Sequence, residues 1–158
     1  MVNRPWWADA VIYHVYLRSF ADSNDDDVGD LPGLRSRLEY LRWLGVDSVL
    51  LSPFYPSPMI DFGYDVRGYL AVDPEYGSMA DFEELLSDAH RSGIRIIIDY
   101  IPNHTSNLHH WFQQARADRN SPYRDWYFWR DPGPDGGPPN NWISAFGMRA
   151  WTWDVVAG

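Results

Sequence analysis

The 158-residue chain contains no cysteine. That absence excludes disulfides, thiolate-bound zinc and a cysteine nucleophile, and removes redox chemistry as a guide to compartment. There is no basic excess either: 13 Lys and Arg stand against 22 Asp and Glu, a formal charge of −9. A nucleic acid or an anionic membrane is therefore not the expected partner, because both are met by stripes of positive charge. Long apolar runs are missing as well. The longest, around Val49 to Leu51 and Ile96 to Ile98, fall far short of the ~20 residues that cross a bilayer as a helix. The N-terminal stretch MVNRPWWADAVIYHVYLRSF is apolar, but Pro5, Asp9 and His14 interrupt it and no small-residue cleavage site follows. It reads as mature protein, with the cytoplasm as the default location. What abounds is aromatic: nine Trp, ten Tyr and seven Phe, rings that can fill a core or stack on a ligand.

The order of elements follows from period. Residues 11–16 (VIYHVY) are β-branched and aromatic and lead into an acidic, Gly-containing segment, which predicts a strand and a loop. Leu34, Leu38, Leu41 and Leu44 then recur at helical spacing, with Gly45 as the stop. Val46 to Leu51 is a short β-rich run ended by Pro53, Pro56 and Pro58, the pattern of a buried strand feeding a long loop. Ser78 and Asp81 form a capping-box pair ahead of an apolar face at Phe82, Leu85, Leu86 and Ala89, closed by Gly93. A third strand over 94–101 ends at Pro102. Strands alternating with helices predict an α/β fold with a parallel sheet. Their spacing fits units of a (β/α)8 barrel, at ~31 residues each with enlarged loops, and only about three such units fit here. After a short helix near Trp111 to Ala117 the chain turns irregular, with Pro122, Pro132, Pro134, Pro138 and Pro139 beside Gly133, Gly136 and Gly137. The expected division is 1–105 for the βα units and 106–158 for the start of an inserted small domain.

Three features carry chemistry. Asp22, Asn24, Asp26 and Asp30, with the Val28 carbonyl between them, offer oxygens at alternate positions. A curled loop turns such groups inward toward a hard divalent cation. The segment is not an EF-hand: the twelfth position from Asp22 is Gly33 and the sixth is Asp27. The plain alternative is a solvated acidic loop. Next, DYIPNH puts Asp99, Asn103 and His104 at the carboxyl end of a parallel strand, the end where barrel enzymes place their sites. The alternative is a buried Asp and a hydrogen-bonded His. His109 and His110 read as capping or surface residues, since no His pair has metal-site spacing. Third, Asp61, Gly63, Tyr64 and Asp65 follow the second strand. A carboxylate beside a ring grips a pyranose through its hydroxyls and its apolar face, although an ordinary Gly turn looks the same.

Taken in order, VIYHVYLRSFADSNDDDVGDLPG, LLSPFYPSPMIDFGYDV, DPEYGSMADFEELLSDAHRSGIRIIIDYIPNHTS and PPNNWISAFG resemble the N-terminal portion of the α-amylase superfamily of glycoside hydrolases. Within it the chain is most similar to the α-glucosidase and oligo-1,6-glucosidase group. The resemblance implies a (β/α)8 barrel with a small domain inserted after the third strand. It implies that Asp61, Tyr64 and His104 line the subsite for the non-reducing glucose, with Asp99 and Asn103 as supporting residues and Phe146 near the substrate entrance. It identifies Asp22, Asn24, Asp26, Val28 and Asp30 with the family's calcium or magnesium loop, a single structural cation.

Departures accompany the matches. Asp25 and Asp27 stand where the family's metal loop usually has Gly, Leu17 where proline is common, and Gly68 where a polar residue is frequent. The nucleophile and acid/base that the resemblance implies come from the fourth and fifth strands, and no residue here matches their motifs. The expected reading is an N-terminal fragment of a retaining α-glucosidase-type hydrolase acting on α-glucoside oligosaccharides, inactive alone, with the remainder of the barrel as a partner if the gene is split. The alternatives are a non-catalytic sugar-binding or interaction module and a truncated product with no independent function.

Overall fold

A computed structural model describes residues 4–157. Two compact units emerge, Met1–Ser106 and Asn107–Gly158. In the first, β1 (Ile12–Val15), β2 (Ser48–Leu51) and β3 (Arg95–Ile98) form a parallel sheet in sequence order. Register sets Tyr13 opposite Val49 and Ile96, and His14 opposite Leu50 and Ile97. Because side chains alternate across a strand, Val15, Val49 and Leu51 share one face, and all three are buried. Between the strands run α1 (Leu31–Ser36), α2 (Leu38–Leu44) and α3 (Met79–Arg91). Leu34, Leu38, Leu41, Leu85 and Ala89 from these helices join Val15, Val49 and Leu51 in a single apolar core.

The leucine run expected to form one helix is broken at Arg37, whose backbone (φ −101, ψ 3) separates α1 from α2. Leu44 is 45% exposed instead of packed. The reason is the helix end. Gly45 is left-handed at φ 83, and the Val46 amide donates to the Leu41 carbonyl, a Schellman-type closure that turns the chain inward so that buried Val46 takes the place of Leu44. The capping box of α3 forms as its sequence indicates: Ser78 accepts from the Asp81 amide while the Asp81 carboxylate accepts from the Ser78 amide at 2.7 Å. Those bonds, the Ser78 hydroxyl first, hold the Asp81 carboxyl below its usual range. Arg35 ties α1 to α3 through Asp88 at 2.6 Å and through Glu84.

The acidic loop is locked onto α1 by contact as well as by charge. Asp30 is buried and caps α1, accepting from the Gly33 amide at 2.6 Å. A Cβ on Gly33 would lie 2.0 Å from the Ala21 carbonyl oxygen, and backbone cannot yield as a side-chain tip can. Gly33→Ala is therefore expected to destabilise unit one by about 1–3 kcal/mol, read as a lower urea midpoint. An unchanged midpoint would refute the close packing of loop on helix.

The second unit is built mainly from rings. Trp111 and Phe112 of α4 (His110–Ala117) pack on Trp126, Tyr127 and Trp129, with centroid separations of 4.8, 5.1 and 5.6 Å. Arg124 stacks on Trp129 at 4.0 Å and Arg116 pairs with Asp154 at 2.7 Å. His109 is not a surface residue: it is 1% exposed and caps α4, Nδ1 accepting from the Trp111 amide. Burial, then the neighbouring His110, lowers its pKa. No helix among the described residues is long and apolar enough to cross a membrane.

Candidate functional site

The carboxyl ends of the three strands extend beyond the strands themselves. The Ser52 amide donates to the Val15 carbonyl at 3.0 Å and the Asp99 amide to the Leu51 carbonyl at 3.1 Å. Strand parity then places His14, Ser52 and Asp99 on the same sheet face, opposite the helices. Two loops rise from this edge: the long one after β2, bearing Asp61 and Tyr64, and the segment after β3, bearing Asn103 and His104.

The β2 loop is shaped by Asp65. Its carboxylate accepts from the Ser57 hydroxyl at 2.7 Å and from the amides of Ile60 and Asp61 at 3.0 and 3.2 Å. Met59, Phe62 and Gly63 all have positive φ (59, 52 and 99), a tight coil that those carboxylate bonds stabilise. Asp65 thus acts as an internal staple. Asp61, half-buried beside Tyr64, receives no hydrogen bond on its carboxylate among the described residues.

Tyr64 and His104 meet directly. His104 Nε2 lies 3.0 Å from the Tyr64 carbonyl and its Nδ1 lies 3.2 Å from the Asn103 amide nitrogen. A carbonyl only accepts and an amide nitrogen only donates, so the tautomer satisfying both carries its proton on Nε2. His104 does not turn inward onto Asp99. The Asp99 carboxylate lies close enough to Tyr64 to act on its hydroxyl electrostatically. Burial first, and then the neighbouring Asp99 carboxylate, raise the Tyr64 pKa. The Tyr69 hydroxyl braces the β3 loop, donating to the Ile101 and His104 carbonyls at 2.7 and 3.0 Å. A small second core of Tyr55, Val66 and Ile101 underlies both loops, with Tyr64 and Tyr69 packed against it.

Sequence reasoning overlooked His14 and Ser52, which are 2.9 Å apart (Nε2 to Oγ). The available signal was parity: a His one residue inside β1 and a Ser one residue beyond β2 share the face of Asp99.

In the acidic loop, Asp22 accepts from the amides of Asn24, Asp25 and Asp27 at 2.9, 2.9 and 2.8 Å, and these bonds, that of Asn24 foremost, hold its carboxyl below the usual range. Asp26 accepts from the Val28 amide at 2.9 Å and the Asn24 side-chain amide at 3.0 Å, while Asp30 accepts from the Ser23 hydroxyl at 2.7 Å. Asp25 and Asp27 are left-handed (φ 63 and 68), so aspartate here adopts a conformation otherwise favoured by glycine. The backbone curl and the all-oxygen donor set suit a hard cation. The carboxylates, however, are turned to loop amides, and no three acidic or histidine side chains gather for a metal among the described residues. Phe146 lies in the second unit and is 73% exposed. A cavity of about 1000 Å³ in that unit contains Trp129, Trp151 and the Arg116–Asp154 pair, and none of Asp61, Tyr64 and His104 lines it.

The alpha-amylase catalytic-domain family matches residues 14–158. The chain is 51% identical to a probable alpha-glucosidase of Rhizobium meliloti over 96% of its own length and 28% of that protein. It is likewise 51% identical to an oligo-1,6-glucosidase of Halalkalibacterium halodurans over 99% of its length and 28% of the relative. Among solved structures, the alpha-glucosyl transfer enzyme XgtA superposes with a TM-score of 0.94 at 56% identity, over 97% of this chain and 29% of that one. The chain thus spans somewhat over a quarter of the proteins it matches. A three-stranded parallel sheet whose helices cover one face, its loops gathered at the carboxyl ends, agrees with those matches: the chain belongs to the alpha-amylase family and forms the N-terminal part of its (β/α)8 barrel catalytic domain.

Proposed function

We propose that Asp61, Tyr64 and His104 form the subsite for the terminal, non-reducing glucose of an α-glucoside, within a parent enzyme that cleaves or transfers α-glucosidic bonds with retention. The observation that supports this most is the meeting of two loops, 40 residues apart in sequence, through the His104 ring and the Tyr64 backbone. In this reading the unengaged Asp61 carboxylate accepts two sugar hydroxyls and the Tyr64 ring covers the sugar's C–H face. A further hydroxyl donates to His104 Nδ1 in place of the Asn103 amide. Asp99 and Asn103 act as supporting residues, Asn103 through its contact with the His104 ring. Retaining chemistry further requires two carboxyl groups about 5 Å apart, one nucleophile and one acid/base, which the rest of the parent barrel supplies. A maltose titration followed at Tyr64 and His104 tests the subsite, and no saccharide binding by the folded chain would refute it.

The acidic loop is proposed to take one calcium or magnesium ion through Asp22, Asn24, Asp26, the Val28 carbonyl and Asp30. The curl at Asp25 and Asp27 supports this, with the side chains rotating from loop amides to the ion. Such an ion would anchor the loop to α1 and take no part in the chemistry. Binding to the folded state stabilises by RT ln(1 + [L]/Kd), so millimolar calcium or magnesium is expected to raise the melting temperature above that in excess chelator. Coincident melting curves would contradict the proposal.

A further inference from the structure

We propose that Tyr69 is a positioning residue of the saccharide site: its hydroxyl holds residues 101–104 in the bend that presents the His104 ring, and so sets the affinity for the sugar. This rests on the subsite reading above. One hydroxyl reaches two carbonyls three residues apart, that of Ile101 at 2.7 Å and that of His104 at 3.0 Å. Between them the chain bends at Asn103, directly after Pro102. Two carbonyl oxygens drawn toward one point repel each other unless a hydrogen is shared between them, and the Tyr69 hydroxyl supplies it. The ring that carries this hydroxyl is itself fixed, edge-on to Tyr55 and to Tyr100, each with a centroid separation of 5.7 Å. Two residues beyond His104, the Ser106 amide donates to the Val66 carbonyl at 2.9 Å, a second tie between the β3 segment and the β2 loop.

His104 depends on this clip because packing does not hold it. The residue is exposed, so its ring direction follows from its bonds: Nε2 to the Tyr64 carbonyl, Nδ1 to the Asn103 amide nitrogen, and the backbone carbonyl to Tyr69. In the proposed subsite a sugar hydroxyl replaces the Asn103 contact. The Tyr64 and Tyr69 bonds then govern the ring's orientation, one at the side chain and one at the backbone. A ring aimed before the sugar arrives lowers the ordering cost of binding. Asp61 stands apart from the clip, since its amide is held by Asp65 within the β2 loop. Loss of the Tyr69 hydroxyl therefore loosens His104 and leaves Asp61 in place.

Tyr69→Phe keeps both ring contacts and removes the hydroxyl alone. Maltose affinity of the 158-residue chain is expected to fall about fivefold in this variant, the scale of one net hydrogen bond. In long-range 1H–15N spectra the His104 Nε2 resonance should move, with the Asp61 amide unmoved. Unchanged affinity, an unmoved His104 resonance, or a shift of the Asp61 amide as large as that of the His104 ring overturns the role of Tyr69 and leaves the saccharide site standing. No maltose binding by the native chain overturns the subsite reading and this inference with it. Should Tyr69→Phe fail to fold, the native carbonyl 13C spectrum decides: a downfield, hydrogen-bonded His104 carbonyl supports the clip and an unshifted one contradicts it.

Discussion

No glucose should be released from maltose, isomaltose or an activated α-glucoside by the 158-residue chain, at any concentration at which it is folded. Glycosidic bonds are hydrolysed with retention by splitting one displacement into two through a covalent glucosyl-enzyme, and both halves need a nucleophile and an acid/base about 5 Å apart. The carboxylates near the subsite have other duties. Asp65 is held by three bonds within its own loop, and Asp99 sits beside Tyr64, whose pKa it raises. Enzymatic accelerations span about 10⁶-fold and more, so loss of the catalytic pair is expected to bring turnover to the uncatalysed level. Glucose release by pure protein that vanishes on mutating a residue within 1–158 would contradict this.

Asp61→Ala is expected to weaken maltose binding by about 10- to 100-fold, the scale of a charge-assisted hydrogen bond of about 1.5–3 kcal/mol. It should leave the unfolding midpoint nearly unchanged, because no donor within the described chain engages that carboxylate. Asp65→Ala should do the reverse in stability. Removing the acceptor for the Ser57 hydroxyl and two loop amides releases the positive-φ coil at Met59 and Phe62, so the loop loosens and the midpoint falls. A calorimetric titration beside a urea curve for each variant separates the two carboxylates. Equal effects of both on stability would remove the distinction.

Those two carboxylates, four residues apart, show where sequence reasoning reaches its limit. Local signals carried through: the Ser78–Asp81 box depends on groups three residues apart and formed as its pattern indicates, and the alternation of strands and helices was sufficient for the parallel order β1-β2-β3. The break at Arg37 was invisible because the apolar period continues across it; it lies in the Arg37 backbone alone, which leaves the helical region between α1 and α2. Asp61 and Asp65 look alike in DFGYD, and which one turns back on the loop depends on a backbone with φ above zero at residues with ordinary side chains. The proximity of Tyr64 and His104 was legible as adjacency of loops after neighbouring parallel strands, whereas the engagement of both His104 nitrogens was not. His14 and Ser52 are 38 residues apart, and their pairing depends on strand register, which period alone does not supply.

The most direct test of the saccharide site is a maltose titration of 15N-labelled chain with resolved amides of Asp61, Tyr64, Asn103 and His104. The account predicts saturable shifts concentrated at these four residues and abolished by Asp61→Ala, with the amides of Trp129 and Trp151 unmoved. Shifts confined to residues 107–158, or equal in Asp61→Ala and native protein, would contradict it.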